Sequence, residues 1–263
     1  MSGNGGFELA GAGVVVTGAG HGIGEALARR FAAAGARVVV NDLDAKAAEA
    51  VAEEIGAGAL PGDAADPDGV EALITGARAA LGEIDLYCAN AGTAVGGSEQ
   101  AADADWERSW QVNVMSHVRA SRMLTGPWLE RGRGHWISTV SAAGLLTMLD
   151  AAPYAVTKHA ALAFAEWLAV TYQHRGITVQ ALCPQGVRTD MLGGTGAAGD
   201  LLLRPTAIEP SQVAETVVEA LADGRFLILP HPETAQMYQH RATDTDRWLR
   251  GLGRVQQQLD ATR

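Results

Sequence analysis

The chain has 263 residues, 48% of them hydrophobic and 19% charged, which supplies a sizeable core and excludes a disordered chain. Thirty acidic against 20 basic residues leave a net charge of −10. No Lys/Arg block interrupts the sequence, so neither nucleic acid nor a membrane surface is an expected partner.

Short apolar runs alternate with helical patterns along the chain. Val14–Val16 reads as a buried strand followed by a helix over Ala26–Ala34. Val38–Val40 is the second strand, with an alanine-rich helix after it. Asp66-Pro67 has the form of an N-cap with proline in the first helical turn. Ile84–Cys88 is a strand, Trp106–Arg131 holds helical segments, and His135–Val140 returns to strand. A long helix over Tyr154–His174 precedes a strand at Ile177–Cys183. Residues 190–210 are rich in Gly, Ala and Leu without clear period. Ser211–Ala222 is helical, and Phe226–Leu229 makes a last short strand.

This alternation predicts βαβ units, hence an α/β fold with a doubly wound, Rossmann-type parallel sheet covered by helices on both faces. One domain is expected: residues 1–232 form the dinucleotide-binding and catalytic part, and 233–263 a helical extension. In that tail Tyr238, Thr245, Trp248, Leu249, Leu252, Val255 and Leu259 recur at helical spacing, an apolar stripe that must be covered. The stripe follows a completed core, so a neighbouring subunit is its expected cover. The six tryptophans are expected as core and interface anchors.

No apolar run reaches the ~18–20 residues that span a bilayer. Met1–Gly6 shows no basic-then-apolar leader. Cys88 and Cys183 fall in strand-like runs and are expected as buried, reduced thiols, consistent with a cytoplasmic setting. The seven histidines show no ligand spacing, and no metal is expected.

Thr17-Gly18-Ala19-Gly20-His21-Gly22-Ile23-Gly24 lies between a predicted strand and a predicted helix. That context makes a glycine-rich turn a pyrophosphate site: glycines allow close backbone approach, and the helix N-terminus offers free N–H groups. Asp42 ends the second strand. A carboxylate there accepts ribose hydroxyls and repels a 2′-phosphate. Leu43 follows and offers no cation to such a phosphate, so NAD is expected over NADP, with His21 as the one basic group in the turn. Tyr154 and Lys158 stand four apart on a helix, which puts a phenol and an ammonium on one face. A nearby cation favours the phenolate and is expected to lower the Tyr154 pKa.

With these residues together, the chain resembles a short-chain dehydrogenase/reductase of the short, single-domain branch, over roughly residues 8–230. The resemblance implies that Asp63 and Ala64 hold the adenine, and that Asn90, Ala91 and Gly92 stabilise the sheet and line the cofactor. It implies that Asn113, Ser141, Tyr154 and Lys158 are the catalytic set. It further implies that Val187 and Thr189 fix the nicotinamide carboxamide, and that the assembly is a homotetramer paired through the helices near 106–131 and 154–174. Ala89 and Gln185 depart from the family pattern, Gln185 standing where a glycine is usual.

The expected reaction is hydride transfer between NAD and a secondary alcohol or ketone, with Tyr154 as general acid/base. Leu192–Pro210, with Leu201-Leu202-Leu203, is the expected lid. Leu145, Leu146, Met148 and Leu149 are expected to add apolar walls, and Arg188 is the residue able to pair with a carboxylate. Asp42 argues against an NADPH-dependent ketoreductase. The intact Asn/Ser/Tyr/Lys set argues against a catalytically silent nucleotide-binding protein of the same fold. The chain length leaves little room for the added domain of related epimerases.

Overall fold

The computed structural model describes residues 6–261. Residues 1–5, which carry the leader expectation, and 262–263 lie outside it. Seven strands form one parallel sheet: β1 (Gly13–Thr17), β2 (Arg37–Asn41), β3 (Gly58–Ala59), β4 (Leu86–Ala89), β5 (Gly134–Thr139), β6 (Ile177–Leu182) and β7 (Leu227–Ile228). Their order is β3-β2-β1-β4-β5-β6-β7. The chain winds outward from β1 to β3, then restarts on the other side at β4. The β1/β4 junction is therefore the switch point, where a crevice opens beyond the strand C-termini.

The helices are α1 (Gly22–Ala33), α2 (Ala45–Ile55), α3 (Pro67–Leu81), α4 (Asp103–Trp110), α5 (Ser116–Arg131), α6 (Ala143–Leu146), α7 (Ala152–Tyr172), α8 (Asp190–Gly193), α9 (Gly196–Leu202), α10 (Pro210–Asp223), α11 (Glu233–Thr243) and α12 (Thr245–Asp260). Side chains alternate across each strand. Val14, Val16, Val38, Val40 and Ile137 face a core built with α1, α2 and α10. Val15, Val39, Tyr87 and Trp136 face a second core built with α3, α5 and α7. Both faces are apolar, which is why these strands read as unbroken valine runs. No described helix is long and apolar enough to cross a membrane.

Several boundaries differ from expectation. Helix α1 begins at Gly22, not Ala26, because first-turn N–H groups need no partner within the helix. Ile84 is buried but precedes β4, and α7 starts at Ala152 with Pro153 in its first turn. Asp66 caps α3 as expected, accepting from the Gly69 N–H at 3.0 Å. The tail is two helices rather than one. Asp244 leaves helical geometry and caps α12 by accepting from the Arg247 N–H at 2.9 Å.

Two buried histidines hold the layers. His135 Nε2 lies 2.8 Å from Gln180 Oε1, while Gln180 Nε2 donates to the carbonyls of Ala220 (2.8 Å) and Arg225 (2.7 Å). The amide orientation makes Gln180 Oε1 an acceptor, so His135 carries its proton on Nε2. Burial holds His135 down to about 4 and His117 to about 3. Both are neutral in the folded chain, so the unfolded state binds more protons between those values and 6.5. Stability is then full above pH 6.5 and falls on acidification, by about 1.4 kcal/mol per pH unit for each histidine. Thermal midpoints measured from pH 7.5 to 4.5 should drop below pH 6.5, and His117→Gln should flatten that slope.

Candidate active site

The C-terminal ends of β1, β4 and β5 are tied by one side chain. Asn90 Nδ2 donates to the carbonyls of Thr17 (2.9 Å) and Gly18 (3.1 Å), while its Oδ1 accepts from Thr139 Oγ1 at 3.0 Å. Thr17 Oγ1 reciprocates, donating to the Cys88 carbonyl at 3.2 Å and accepting from the backbone N–H groups of Asn90 and Ala91, each at 3.0 Å.

The glycine turn sits directly on this knot. Gly18 and Gly22 have φ of +61° and +55°, in the left-handed region that favours glycine. A Cβ on Gly24 would overlap the Gly18 carbonyl oxygen, and one on Gly22 would come within 2.8 Å of Thr189 Cγ2. Close approach of α1 to the strands thus requires glycine at these places. His21 at the helix N-cap makes no side-chain cap, and its Nε2 lies 3.9 Å from Asp44 Oδ2. The imidazole of the turn thus stands beside a carboxylate. Asp42 accepts from the Gly20 N–H (2.8 Å) through Oδ2 and the Asp44 N–H (3.0 Å) through Oδ1. Leu43 beside it is 75% exposed. Asp63 turns back to accept from the Ala65 N–H at 2.7 Å, and Ala64 is buried behind it.

Asn113 is fully buried in a π-helical turn, Gln111–Met115, between α4 and α5. Its Oδ1 accepts from the Thr93 N–H at 2.9 Å. Its Nδ2 donates to the Thr93 carbonyl and to Thr157 Oγ1, both at 3.0 Å. A π-turn widens the helix locally and re-aims a side chain, and such turns collect at functional sites. Lys158 Nζ is buried and donates to the Thr139 carbonyl at 2.9 Å, 5.7 Å from the centroid of the Tyr154 ring. A Cβ at Gly92 would stand 3.3 Å from both Asn113 Oδ1 and Lys158 Nζ. Ser141 Oγ accepts from the Ala143 N–H at 3.1 Å, and Ser141 hydrogen-bonds Tyr154.

The electrostatics differ from expectation at Tyr154. Burial pushes its phenol above the ordinary value, with the Ser141 hydrogen bond pulling the other way. The Lys158 ammonium is engaged by Thr139 and lies over the ring, so it does not reverse that burial. Burial holds Lys158 itself down to about 8. Cys183 lies behind the pair as a buried free thiol, pushed up to about 12, and Cys88 is also buried and free.

Most of these groups meet in one cleft of about 800 Å³. It brings together the turn from Gly18 to Gly24, Asp42, Leu43, Asp63, Ala64, Asn90–Gly92, Ser141, Tyr154, Lys158, Val187 and Thr189. Asn113 lies just behind its wall, next to Gly92 and Thr93. The substrate end differs in detail from expectation. Leu146, Met148, Leu149, Leu202 and Leu203 line it. Leu145 instead points into the core at 1% exposure, and Leu201 faces solvent. Arg188 leaves the cleft, pairing with Glu209 at 2.9 Å. Thr147 and Asp150 hold φ of 70° and 57°, rare for residues with a Cβ, and shape the wall after α6.

Met237, Trp248 and Leu252 from the tail also line the cleft, and Trp248 packs on the chain's own core. The inward part of the stripe, Trp248, Leu252 and Leu259, thus packs on the chain itself, while Tyr238 and Leu249 stay exposed. Trp248 is a cleft wall. Thr93, Thr139 and Met237 escaped the sequence reading because their roles come from backbone groups or from a fold-back that no local pattern announces.

A parallel sheet with a glycine-rich turn at its switch point, beside a Ser/Tyr/Lys group whose lysine is buried, defines a dinucleotide-binding oxidoreductase. Residues 12–198 match the short chain dehydrogenase family. The 1-deoxy-11-beta-hydroxypentalenate dehydrogenase of Streptomyces exfoliatus is 38% identical over 232 residues, spanning 83% of this chain and 82% of that protein. Meso-2,3-butanediol dehydrogenase of Serratia marcescens is 33% identical, spanning 82% and 89%. Among solved structures, a short chain dehydrogenase/reductase from Burkholderia phymatum in complex with NAD superposes with a TM-score of 0.83. It is 28% identical and covers 91% of this chain and 96% of that one. The chain belongs to the short-chain dehydrogenase/reductase family. Membership brings the oxidoreductase class, a nicotinamide dinucleotide cofactor and a small alcohol or ketone as substrate.

The Asn90 knot is testable directly. Asn90→Ala leaves the Thr17 carbonyl and the Thr139 hydroxyl without partners. It should cost about 2–3 kcal/mol of unfolding free energy, measured by urea denaturation, and weaken NADH binding in a fluorescence titration.

Proposed function

We propose that this protein is an NAD-dependent dehydrogenase of an apolar secondary alcohol, working reversibly with the ketone, with Tyr154 as general acid/base. The observation that carries the reading is the convergence of Ser141, Tyr154 and the buried Lys158 with the glycine turn on one largely apolar cleft. The residues fit a dinucleotide. Gly18, Gly22 and Gly24 let the turn fold tightly against Ala91, Thr189 and its own backbone, which sets the first turn of α1, with its uncapped N–H groups, at the cleft. Asp42 keeps acceptor positions free beyond its two backbone bonds, suited to ribose hydroxyls and hostile to a 2′-phosphate. Asp63, Ala64 and Asn90–Gly92 serve the adenosine and ribose side, and Val187 and Thr189 the carboxamide. A bound nicotinamide supplies the hydride-accepting carbon.

The chain's own groups manage the proton. In oxidation the Tyr154 oxygen takes the hydroxyl proton of the alcohol, and in reduction it returns one. Ser141 Oγ hydrogen-bonds the reacting oxygen and stabilises charge developing there. Lys158 offsets the charge on the phenolate, and Asn113, through Thr93 and Thr157, fixes the backbone behind it. Both named relatives act on hydroxyl-bearing substrates, and the leucine and methionine walls favour an apolar one. The same reading places the enzyme in the cytoplasm as a homotetramer. Trp110, Val156, Trp167 and Val170 lie exposed on the helices expected to pair.

Tyr154→Phe should retain NADH binding and lose alcohol oxidation by at least about 10²-fold, the lower range for general acid/base catalysis. More than a tenth of wild-type turnover would refute the assignment. Asp42→Ala with Leu43→Arg should move preference toward NADP in kcat/KM. Proton release ties the rate to pH: Tyr154 becomes a base as it loses its proton, and Lys158 loses its charge above about 8. Oxidation measured as kcat/KM should therefore rise with pH to about 8 and then flatten, while reduction, which needs the phenol that burial keeps protonated, should stay level up to about 8.

A further inference from the structure

We propose that the C-terminal helix pair is the size-selecting wall of the substrate cleft within its own subunit, with Trp248 as the residue that recognises a bulky, ring-bearing apolar substrate. The inference rests on the dehydrogenase reading above. Helix α12 is amphipathic: Trp248, Leu252 and Leu259 turn inward, while Asp246, Arg247 and Arg250 face solvent. Trp248 is seated on the core of the α3/α5/α7 layer and lines the cleft, with Leu252 beside it and Met237 reaching in from α11.

Two latches hold the pair in place. The Gln185 side-chain amide donates to Thr234 Oγ1 at 2.9 Å and Glu233 Oε1 at 3.3 Å, fastening the start of α11. Its backbone N–H donates to His231 Nδ1 at 3.2 Å. At the other end of α11, the Arg241 guanidinium donates to the Leu145 carbonyl and to His159 Nε2, the latter at 3.1 Å.

Both latches end on segments that carry the chemistry. Gln185 follows Pro184, whose carbonyl lies 3.5 Å from Ser141 Oγ, and His159 follows Lys158. A glycine at 185, the residue usual in the family, has no side chain to reach α11. The departure at Gln185 and the wall it fastens are therefore one device. The wall lies beyond residues 12–198, the stretch matched by the family model.

The test compares a bicyclic ketone, 2-decalone, with 2-butanone, by calorimetric titration into the protein with NADH and by steady-state oxidation of the matching alcohols. Trp248→Ala should weaken 2-decalone at least tenfold while changing 2-butanone less than threefold. Gln185→Gly should move the ratio the same way by a smaller factor. Leu249→Ala, on the exposed face of α12 at 55% exposure, should leave the ratio unchanged. The proposal is overturned if the ratio stays within threefold in Trp248→Ala, if both ketones weaken equally, or if wild-type protein does not favour 2-decalone. Failure of the dehydrogenase reading shows separately, as NADH binding absent from wild type or turnover surviving Tyr154→Phe. The calorimetric ratio reports on the wall without any turnover.

Discussion

The side chain of Asn90 is the constraint on which the site depends. Parallel strands that end at different heights leave carbonyls and N–H groups unpaired at the switch point, and a buried orphan costs about 1–3 kcal/mol. One amide answers three strands here. It fixes the carbonyls of Thr17 and Gly18 below the glycine turn, and through Thr139 Oγ1 it fixes the end of β5. The Thr139 carbonyl is in turn the acceptor for Lys158 Nζ. Cofactor turn and proton-transfer group thus belong to one hydrogen-bonded unit, and a shift at either end is transmitted through a few rigid bonds.

That unit works against a cost. Lys158 is buried, and its fall from 10.5 to about 8 corresponds to about 3 kcal/mol disfavouring the charged form in the folded chain. Tyr154 beside it is disfavoured as phenolate by the same burial. Each group is unfavourable where it stands, and the layers on both faces of the sheet supply the stability that keeps them there. Perturbed groups gathered at a cleft are the mark of a chemical site rather than a structural ion pair. A structural pair would sit at hydrogen-bond distance, whereas the Lys158 ammonium lies over the Tyr154 ring and is held by a backbone carbonyl.

What the sequence shows follows from the physics of each part. A strand buried on both faces is apolar throughout, so Val14–Val16 and Val38–Val40 stand out. Ile84 is as apolar as they are yet lies before β4, because burial alone does not distinguish strand from approach. The glycine turn was legible because left-handed φ and close backbone approach exclude other residues. Tyr154 and Lys158 were legible because helical spacing fixes which side chains share a face. Their electrostatics were not, since spacing says nothing of desolvation. The π-turn that aims Asn113 and the partnership of Thr93 with it arise from packing between α4, α5 and α7, and no local pattern encodes them.

The tail marks the sharpest boundary between pattern and packing. An apolar stripe from Trp248 to Leu259 states that something must cover it, and nothing in its period names the cover. Two polar residues outside the stripe, Gln185 and Arg241, tie α11 to the segments around Pro184 and Leu145 and so set Trp248 and Leu252 against the cleft. Gly251 and Gly253 make α12 a weak helix by itself, at about 1 kcal/mol each, so its order derives from docking. A wall held by docking rather than by its own propensity can be re-aimed by changing few residues, while the Asn90 knot and the proton-transfer group stay fixed. Conserving the chemistry in the rigid sheet and placing selection on a separately latched helix pair lets one site serve different alcohols without re-engineering its buried charges.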